Sequence, residues 1–336
     1  MSKAFDLSQV GRGHGITADL GPYRNKIING DFAIGQRGAN FPLSSVAKYG
    51  LDRWFLIPTG TAQISMTRTL DTVGAFAGNS HQYFATIGMG NTAGSGNAVV
   101  LQQKIEGAQT LANRKVTFTA YVASTVPGKI SMEIARNFGD SGEAEEIIGH
   151  QEFDVGVDWT RCDFVVDLPT TVGKTLGSGH FIGASIWFSA GADFAARTGS
   201  IGEQTGIRYV SRVSLVEGDA TAEDDPFSPR HIQQELALCQ RYYVTDLIVR
   251  YKAAAFTGSI FYIVSQTLPV EMRATPTVSL KDGTVYTNTS NDDNTTSSAL
   301  TMLANPNKRS VRVNAQYSGT SATSGFTCNM TADAEL

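Results

Sequence analysis

Apolar and polar residues alternate one by one along several short segments of the chain. A period of two is typical of β-strands that bury one face. Glycine, asparagine, proline and serine separate the segments, as in antiparallel sandwiches and jelly rolls, and no βαβ alternation is present. The clearest segments are RKVTFTAYVAS (114–124), GKISMEIARNF (128–138), GHFIGASIWFSAG (179–191) and GIRYVSRVSLVEG (206–218).

A different pattern, typical of one amphipathic helix, occupies FSPRHIQQELALCQRYY (227–243). Ser228 is a suitable N-cap, and Pro229 suits the first helical position. Phe227 and Ile232 can form a hydrophobic staple across that cap. Apolar residues at helical spacing predict a stripe that packs against a neighbouring domain or a second copy of the chain: Ile232, Leu236, Cys239 and Tyr243.

Strand-like segments return after the helix, so the pattern predicts two β-rich domains and a linker. The predicted fold class is all-β: an antiparallel jelly-roll β-sandwich, a single linking α-helix and a smaller C-terminal β-sandwich. Residues 1–24 show no sustained period and are predicted to be an arm that docks on a neighbour. The predicted boundaries are 25–217 for the jelly roll, 218–245 for the linker and helix, and 246–336 for the C-terminal domain.

Charge and composition exclude several classes of function. The chain has 336 residues, with 27 Lys and Arg against 31 Asp and Glu and a net charge of −4. Nucleic-acid binding is not expected, because it requires clustered basic residues. We expect neither membrane insertion nor a signal peptide, because no segment has the necessary apolar run. Cys162, Cys239 and Cys328 lie far apart, which predicts reduced thiols in a protein made in a cytoplasm.

Catalytic signatures are weak in this sequence. The five histidines show no metal-ligand spacing, and no G-x-S-x-G nucleophile motif is present. Glu143, Glu145 and Glu146 lie close together, but neighbouring acids in a glycine-bounded loop are typical of a solvated turn. We therefore expect a non-enzymatic protein without a cofactor.

Several phrases of the chain resemble a family of bacteriophage tail-fibre and related virion proteins. The phrases are NKIINGDFAIGQRG (25–38), YGLDRW (49–54), ELALCQRYY (235–243), PVEMRATP (269–276) and TADAEL (331–336). The resemblance covers about residues 25–336. It implies a jelly roll like that of carbohydrate-binding modules, in a trimeric virion component assembled in the host cytoplasm. The N-terminal arm lies outside the resemblance; in a virion component we expect it to dock on other virion proteins.

A glycan-binding jelly roll is expected to use aromatic faces with nearby polar groups. Alternation places four candidates opposite the main apolar set, where neighbouring strands could form a shallow platform: Thr119, Tyr121, Glu133 and Trp187. The alternative for Trp187 is packing, either as the cover of a second hydrophobic layer or under the N-terminal arm, which is the commoner role for a tryptophan. Trp54 and Trp159 are predicted to anchor the core.

Asp31 in NGDF and Asp52 in LDRW are weak candidates for a structural calcium site. Carboxylate oxygens suit calcium, but the dense acidic spacing of a dedicated calcium loop is missing, so no metal is expected. The equally simple alternative is turn capping by Asp31 and a local pair of Asp52 with Arg53.

These observations leave two main functions open. The first is a virion protein of tail-fibre or head-fibre type that presents the jelly roll for attachment to host cell-surface polysaccharide. The second is a structural adaptor or decoration protein that uses the same fold for protein–protein contacts, since a fold does not dictate its function. A depolymerase that acts through Glu133 or Glu146 is a weaker third interpretation.

Overall fold

The structure, a computed structural model, describes residues 24–71, 83–253, 256–287, 301–321 and 324–336. The predicted N-terminal arm, residues 1–24, lies outside these residues except for Arg24. Within the described ranges, no helix has the length and apolar character needed to cross a membrane.

The chain divides into two units, one of residues 1–235 with Leu336 and one of residues 236–335. The division falls inside the helix that the sequence predicts between the two β-rich domains. The finer boundaries predicted at residues 217 and 245 stay predictions.

Two antiparallel sheets, each of six described strands, form the first unit. Sheet A contains, in spatial order, β1 (Asn40–Ser44), β4 (Gln63–Leu70), β5 (Tyr83–Gly90), β12 (Ile207–Glu217), β7 (Lys115–Ser124) and β10 (Thr160–Asp167). Sheet B contains β2 (Lys48–Tyr49), β3 (Trp54–Thr59), β6 (Ala98–Glu106), β11 (Phe181–Ala190), β8 (Gly128–Asn137) and β9 (Glu146–Val155). A 3-10 turn (Ala192–Phe194) and the short helix α1 (Ala195–Thr198) follow β11.

The core lies between the two sheets and is made of the residues that alternate in phase. The inner face of β7 carries Val116, Phe118, Ala120 and Val122, and that of β8 carries Ile130, Met132 and Ile134; all are fully buried. Trp54 is fully buried in the same cluster, as predicted, and so is Cys162. The predicted antiparallel β-sandwich is therefore confirmed for this unit.

Strand β12 carries a bulge that the alternating pattern does not indicate. Val210 and Val213 both point into the core, although they are three positions apart, an odd spacing that would place them on opposite faces of a regular strand. The pairing with β7 shifts register between Ser211 and Ser214, and Arg212 has a φ of 52°. One extra residue in a strand is accommodated in this way. The bulge places the Arg212 guanidinium over the Tyr121 ring, with 5.2 Å to its centroid.

The predicted helix exists as α2 (Ile232–Gln240), but its predicted start is wrong. The first turn forms on His231, whose carbonyl accepts hydrogen bonds from the backbone N–H groups of residues 234 and 235, so Ser228 and Pro229 precede the helix. The Arg230 guanidinium donates to the Ile27 carbonyl at 3.1 Å, and this contact fixes the approach to the helix in a non-helical form.

The predicted apolar stripe of α2 is buried within this chain over only part of its length. Cys239 is buried, as are Glu235 and Tyr242, which lie one turn before and after it. Ile232 is 51% exposed, so it does not pack against another part of the same chain. Leu236 and Tyr243 are half-buried. The alternative that the stripe, including Ile232, contacts another copy of the chain stays a prediction.

The second unit contains two antiparallel sheets, each with three described strands, as the predicted C-terminal sandwich requires. One sheet has the order β13 (Tyr243–Ala253), β18 (Ser324–Asp333), β15 (Thr277–Thr287). The other has the order β14 (Phe256–Thr267), β17 (Ser310–Ser321), β16 (Thr301–Pro306). The buried residues of the second unit include Val244, Leu268, Met272, Val311 and Met330.

Candidate functional site

The N-G-D-F phrase forms a buried hydrogen-bond network rather than an open binding site. The Asn29 amide donates to the carbonyls of Ile34 and Asp52 at 2.9 and 3.0 Å, and its oxygen accepts from the Ile34 N–H at 2.8 Å. The Trp54 indole donates to the Asn29 carbonyl at 2.8 Å. The Asn29 N–H donates to the Glu235 carboxylate. This Asn29 network therefore joins the N-G-D-F and D-R-W phrases to Glu235, all within the first unit.

The two candidate calcium ligands serve as turn caps in this structure. Asp52 is buried, and its two carboxylate oxygens accept from the N–H and the side-chain amide of Gln36, both at 2.6 Å. Asp31 accepts from the Ala33 N–H at 3.3 Å, which fits the capping alternative. Burial raises the pKa of both carboxyls. The described residues contain no cluster of three metal-ligating side chains.

The second group of resembling phrases also has a structural role. Arg273 of PVEMRATP donates from Nε to the Ala334 carbonyl at 2.9 Å and from Nη2 to the Glu335 carbonyl at 3.0 Å. Its backbone N–H donates to the Arg241 carbonyl, and the Ala334 N–H donates to the Tyr242 carbonyl. The phrases ELALCQRYY, PVEMRATP and TADAEL thus meet in the second unit, where they close the end of α2 against the last strand.

The predicted four-residue glycan platform does not form, because its members lie on different sheets. Thr119 and Tyr121 are on β7 of sheet A, whereas Glu133 and Trp187 are on β8 and β11 of sheet B. All four point away from the core, as alternation predicts. They nevertheless occupy opposite outer faces of the sandwich, so they cannot contact one ligand together.

Trp187 and Glu133 are occupied by contacts within the protein. Trp187 is only 4% exposed and packs against Phe194, with ring centroids 5.5 Å apart. Arg197 of α1 lies over the Trp187 ring and forms two hydrogen bonds of 2.7 Å with the fully buried Glu133 carboxylate. The packing alternative for Trp187 therefore describes the structure. Arg136 likewise pairs with Glu146 at 3.1 Å, so both candidate depolymerase acids are held in ion pairs.

The outer face of sheet A instead carries three half-buried aromatic rings, which we call the aromatic cluster: Phe84, Trp159 and Tyr209. The Phe84 ring lies 5.7 Å from Trp159 and 5.6 Å from Tyr209, in edge-to-face arrangements. The Trp159 and Tyr209 rings are 6.5 Å apart. Aromatic groups at these separations attract one another, so the cluster is preorganised.

A strip of hydroxyl groups runs beside the aromatic cluster on β4 and β5. Thr86 pairs in register with Tyr209 on one side and with Thr67 on the other. Thr69 pairs with Phe84, and its hydroxyl lies 2.7 Å from that of Thr86. The side chains of this hydroxyl strip are half-buried: Ser65, Thr67, Thr69 and Thr86. The cluster and the strip together form one surface, here called the platform.

The opposite end of the same face is covered by the segment that follows β12, residues 218–225. Thr117 donates to the Gly218 carbonyl at 2.7 Å and accepts from the Ala220 N–H at 2.9 Å. Arg161 donates to the Ala220 and Asp224 carbonyls at 3.0 and 3.1 Å. Thr119 is fully buried there and donates to Asp163 at 2.6 Å, so it is not a contact residue for a ligand.

Solved structures of other proteins are similar to this chain in fold. No model of a known protein family matches this chain, and no curated protein matches it. It is similar to a CBM4 structure, with 13% identity, a TM-score of 0.33, and coverage of 56% of this chain and 98% of that chain. It is similar to a family 11 carbohydrate-binding module from Clostridium thermocellum in complex with a β-1,3-1,4-mixed-linked tetrasaccharide, with 10% identity, a TM-score of 0.32, and coverage of 53% and 96%.

A phage protein is among the similar structures. The enzymatically active domain of the bacteriophage CBA120 tailspike protein 4 has 14% identity and a TM-score of 0.34, over 59% of this chain and 22% of that chain.

Sequence reasoning missed the platform and assigned one of its rings elsewhere. Trp159 was predicted to anchor the core, but it is half-buried on the outer face of sheet A, next to Tyr209 and Phe84. A signal for the other two rings is present in the sequence. Tyr209 is out of phase with the buried Val210, and Phe84 is out of phase with the buried Ala85.

Proposed function

We propose that this chain is a non-enzymatic glycan-binding protein whose platform contacts polysaccharide. The observation that carries the proposal is the contiguous set of three half-buried rings beside a strip of hydroxyl groups on one sheet face. Ring faces stack on the C–H groups of pyranose rings, and hydroxyl side chains exchange hydrogen bonds with sugar hydroxyls.

Affinity at one platform is expected to be modest. If a sugar buries a further ~50 Å² on each of two rings, about 25 cal/mol per Å² contributes roughly 2.5 kcal/mol. Loss of one ring then costs about 1.2 kcal/mol, or about eightfold in affinity. Several linked copies would raise the effective concentration and the strength of attachment.

The biological setting of the proposal comes from the resembling phrases of the sequence. We infer a virion protein of tail-fibre or head-fibre type, assembled as a trimer in the host cytoplasm, that attaches to host cell-surface polysaccharide. The N-terminal arm would dock on other virion proteins in this setting.

One observation favours the alternative of a structural adaptor. Aliphatic side chains near the aromatic cluster are exposed: Val126 by 50%, Val157 by 66% and Ile207 by 37%. Apolar side chains at such a position suit a contact with another protein. In the adaptor, the same face would be buried against a virion subunit and would bind no sugar.

Affinity electrophoresis of the full chain through gels that contain a panel of polysaccharides separates the two functions. Phe84→Ala should weaken retardation about eightfold. Phe181→Ala is the matched control, because Phe181 is a half-buried ring on the outer face of sheet B. Retardation that both variants lose equally, or no retardation by any bacterial surface polysaccharide or plant polymer, would contradict the proposal.

A further inference from the structure

The charges that border the platform indicate which class of polysaccharide it takes. Resting on the proposed function, we infer that the platform binds neutral polysaccharides and disfavours glycans that carry carboxylate, phosphate or sulfate groups. The charge of each ionisable side chain beside the aromatic cluster and the hydroxyl strip, and the protein group that it already binds, support this assignment.

The cation that follows Trp159 by two residues, Arg161, already has hydrogen-bond acceptors within the protein. Arg161 pairs in register with Tyr121 on the outer face of sheet A. Its Nε forms an ion pair with Asp163 at 2.8 Å, and its Nη atoms donate to backbone carbonyls of residues 220, 223 and 224. All three nitrogens therefore have protein acceptors. An anionic ligand would have to replace these bonds to use this guanidinium.

The second cation, Arg212, is committed in the same way. It pairs with the Asp225 carboxylate and lies over the Tyr121 ring. Its side chain is only 7% exposed, so solvent and ligand have little access to it. Arg208 and Arg68 belong to the other face of the sheet, since they are in phase with the buried Val210 and Met66.

An exposed negative charge adjoins the aromatic cluster. Asp158 precedes Trp159 directly in the chain and is exposed. A ligand carboxylate about 7 Å from this group, in water-like surroundings, is disfavoured about threefold. The net charge of −4 acts in the same direction. The threonine and serine hydroxyls of the strip, by contrast, match the hydroxyls of a neutral sugar.

Matched polymers test the inference: neutral starch, dextran, galactan and β-glucan, each compared with its own carboxymethylated derivative. Affinity electrophoresis of the full chain should show binding to at least one neutral polymer and at least threefold weaker binding to its carboxymethylated form. Affinity for the neutral polymer should change less than twofold between 20 and 500 mM NaCl, because no ligand charge is screened.

Substitution of one carboxylate gives a second readout. Asp158→Asn should raise affinity for the carboxymethylated polymer about threefold at 20 mM NaCl and leave the neutral polymer unchanged. The control is Asp167→Asn, since Asp167 is exposed at the other end of β10, about 30 Å along the strand and beyond the screening length.

The outcomes separate the inference from the function on which it rests. Preference for a carboxymethylated polymer that Phe84→Ala abolishes would overturn the neutral class and leave glycan binding intact. Binding to no polymer in either form would contradict glycan binding itself. Equal gains from Asp158→Asn and Asp167→Asn would mean that net charge, rather than a local carboxylate, disfavours acidic ligands, and would overturn the assignment of this selectivity to the charges that border the platform.

Discussion

The Asn29 network should be a main source of stability of the first unit, and Asn29→Ala tests this. Asn29 is fully buried and has a φ of 58°. The substitution removes three hydrogen bonds, to the Ile34 carbonyl, the Asp52 carbonyl and the Ile34 N–H. It leaves these backbone groups without their partner in the interior. It also places alanine in the left-handed region that asparagine tolerates better.

The expected loss follows from these contributions. Each buried hydrogen bond contributes about 1 kcal/mol net, so the three together contribute about 3 kcal/mol. The left-handed backbone adds about 1 kcal/mol for alanine. Asn29→Ala should therefore lower the free energy of unfolding by about 4 kcal/mol. Asn113 also has a φ of 58° but is exposed, so Asn113→Ala should cost only the backbone contribution of about 1 kcal/mol.

Urea unfolding followed by tryptophan fluorescence measures this difference in the first unit alone. The three tryptophans of the chain, Trp54, Trp159 and Trp187, all lie within it. The two variants should differ by about 3 kcal/mol. If Asn29→Ala came within 1 kcal/mol of Asn113→Ala, the network would not contribute as its hydrogen bonds indicate, and the structural role assigned to the N-G-D-F phrase would be refuted.

Three further results are expected. Burial, and then a neighbouring carboxylate, raises the folded pKa of Asp31 above 3.8, so folding binds the proton more tightly and stability falls as pH rises through that window. Asp31→Asn removes this titration, so between pH 3.5 and 7 the variant should lose less free energy of unfolding than the wild type. Urea unfolding at a series of pH values measures this, and parallel curves of unfolding free energy against pH would contradict it. Burial raises the pKa of Cys162 to about 12, so little reactive thiolate is present at pH 8. In a Cys328→Ser background, iodoacetamide at pH 8 should therefore leave Cys162 of the native protein unmodified, as measured by peptide mass mapping. Arg273→Ala should destabilise the second unit by roughly 2–3 kcal/mol, measured by urea unfolding followed by circular dichroism. The control, Arg309→Ala, removes an exposed ion pair and should cost about 1 kcal/mol or less. Equal losses in the two variants would refute the structural role of Arg273.

The local alternation of apolar and polar residues was enough to predict the β-sandwich and the face on which most strand residues lie. Val116 and Phe118 point inward and Tyr121 outward, because a period of two leaves no other choice once one face is buried. The existence of α2 and the burial of Cys239 follow in the same way from helical spacing.

Contacts between residues far apart in the chain determine the features that local sequence patterns did not predict. Strands β7 and β8 follow one another in the chain but belong to different sheets, so Tyr121 and Glu133 separate although both alternate outward. The helix starts late because Arg230 binds the Ile27 carbonyl, about two hundred residues earlier in the chain. Trp159 precedes β10, and its position depends on Phe84 and Tyr209, which no local pattern around residue 159 indicates.

Acrylamide quenching of tryptophan fluorescence tests most directly whether the platform is the binding surface. Trp54 and Trp187 are 0% and 4% exposed, whereas Trp159 is half-buried, so quenching in the free protein should come mainly from Trp159. A polysaccharide that retards the protein in gels should lower the quenching constant by at least half, and Trp159→Phe should remove most of the quenching with or without ligand. Binding of the polysaccharide with no change in the quenching of Trp159 would contradict the account.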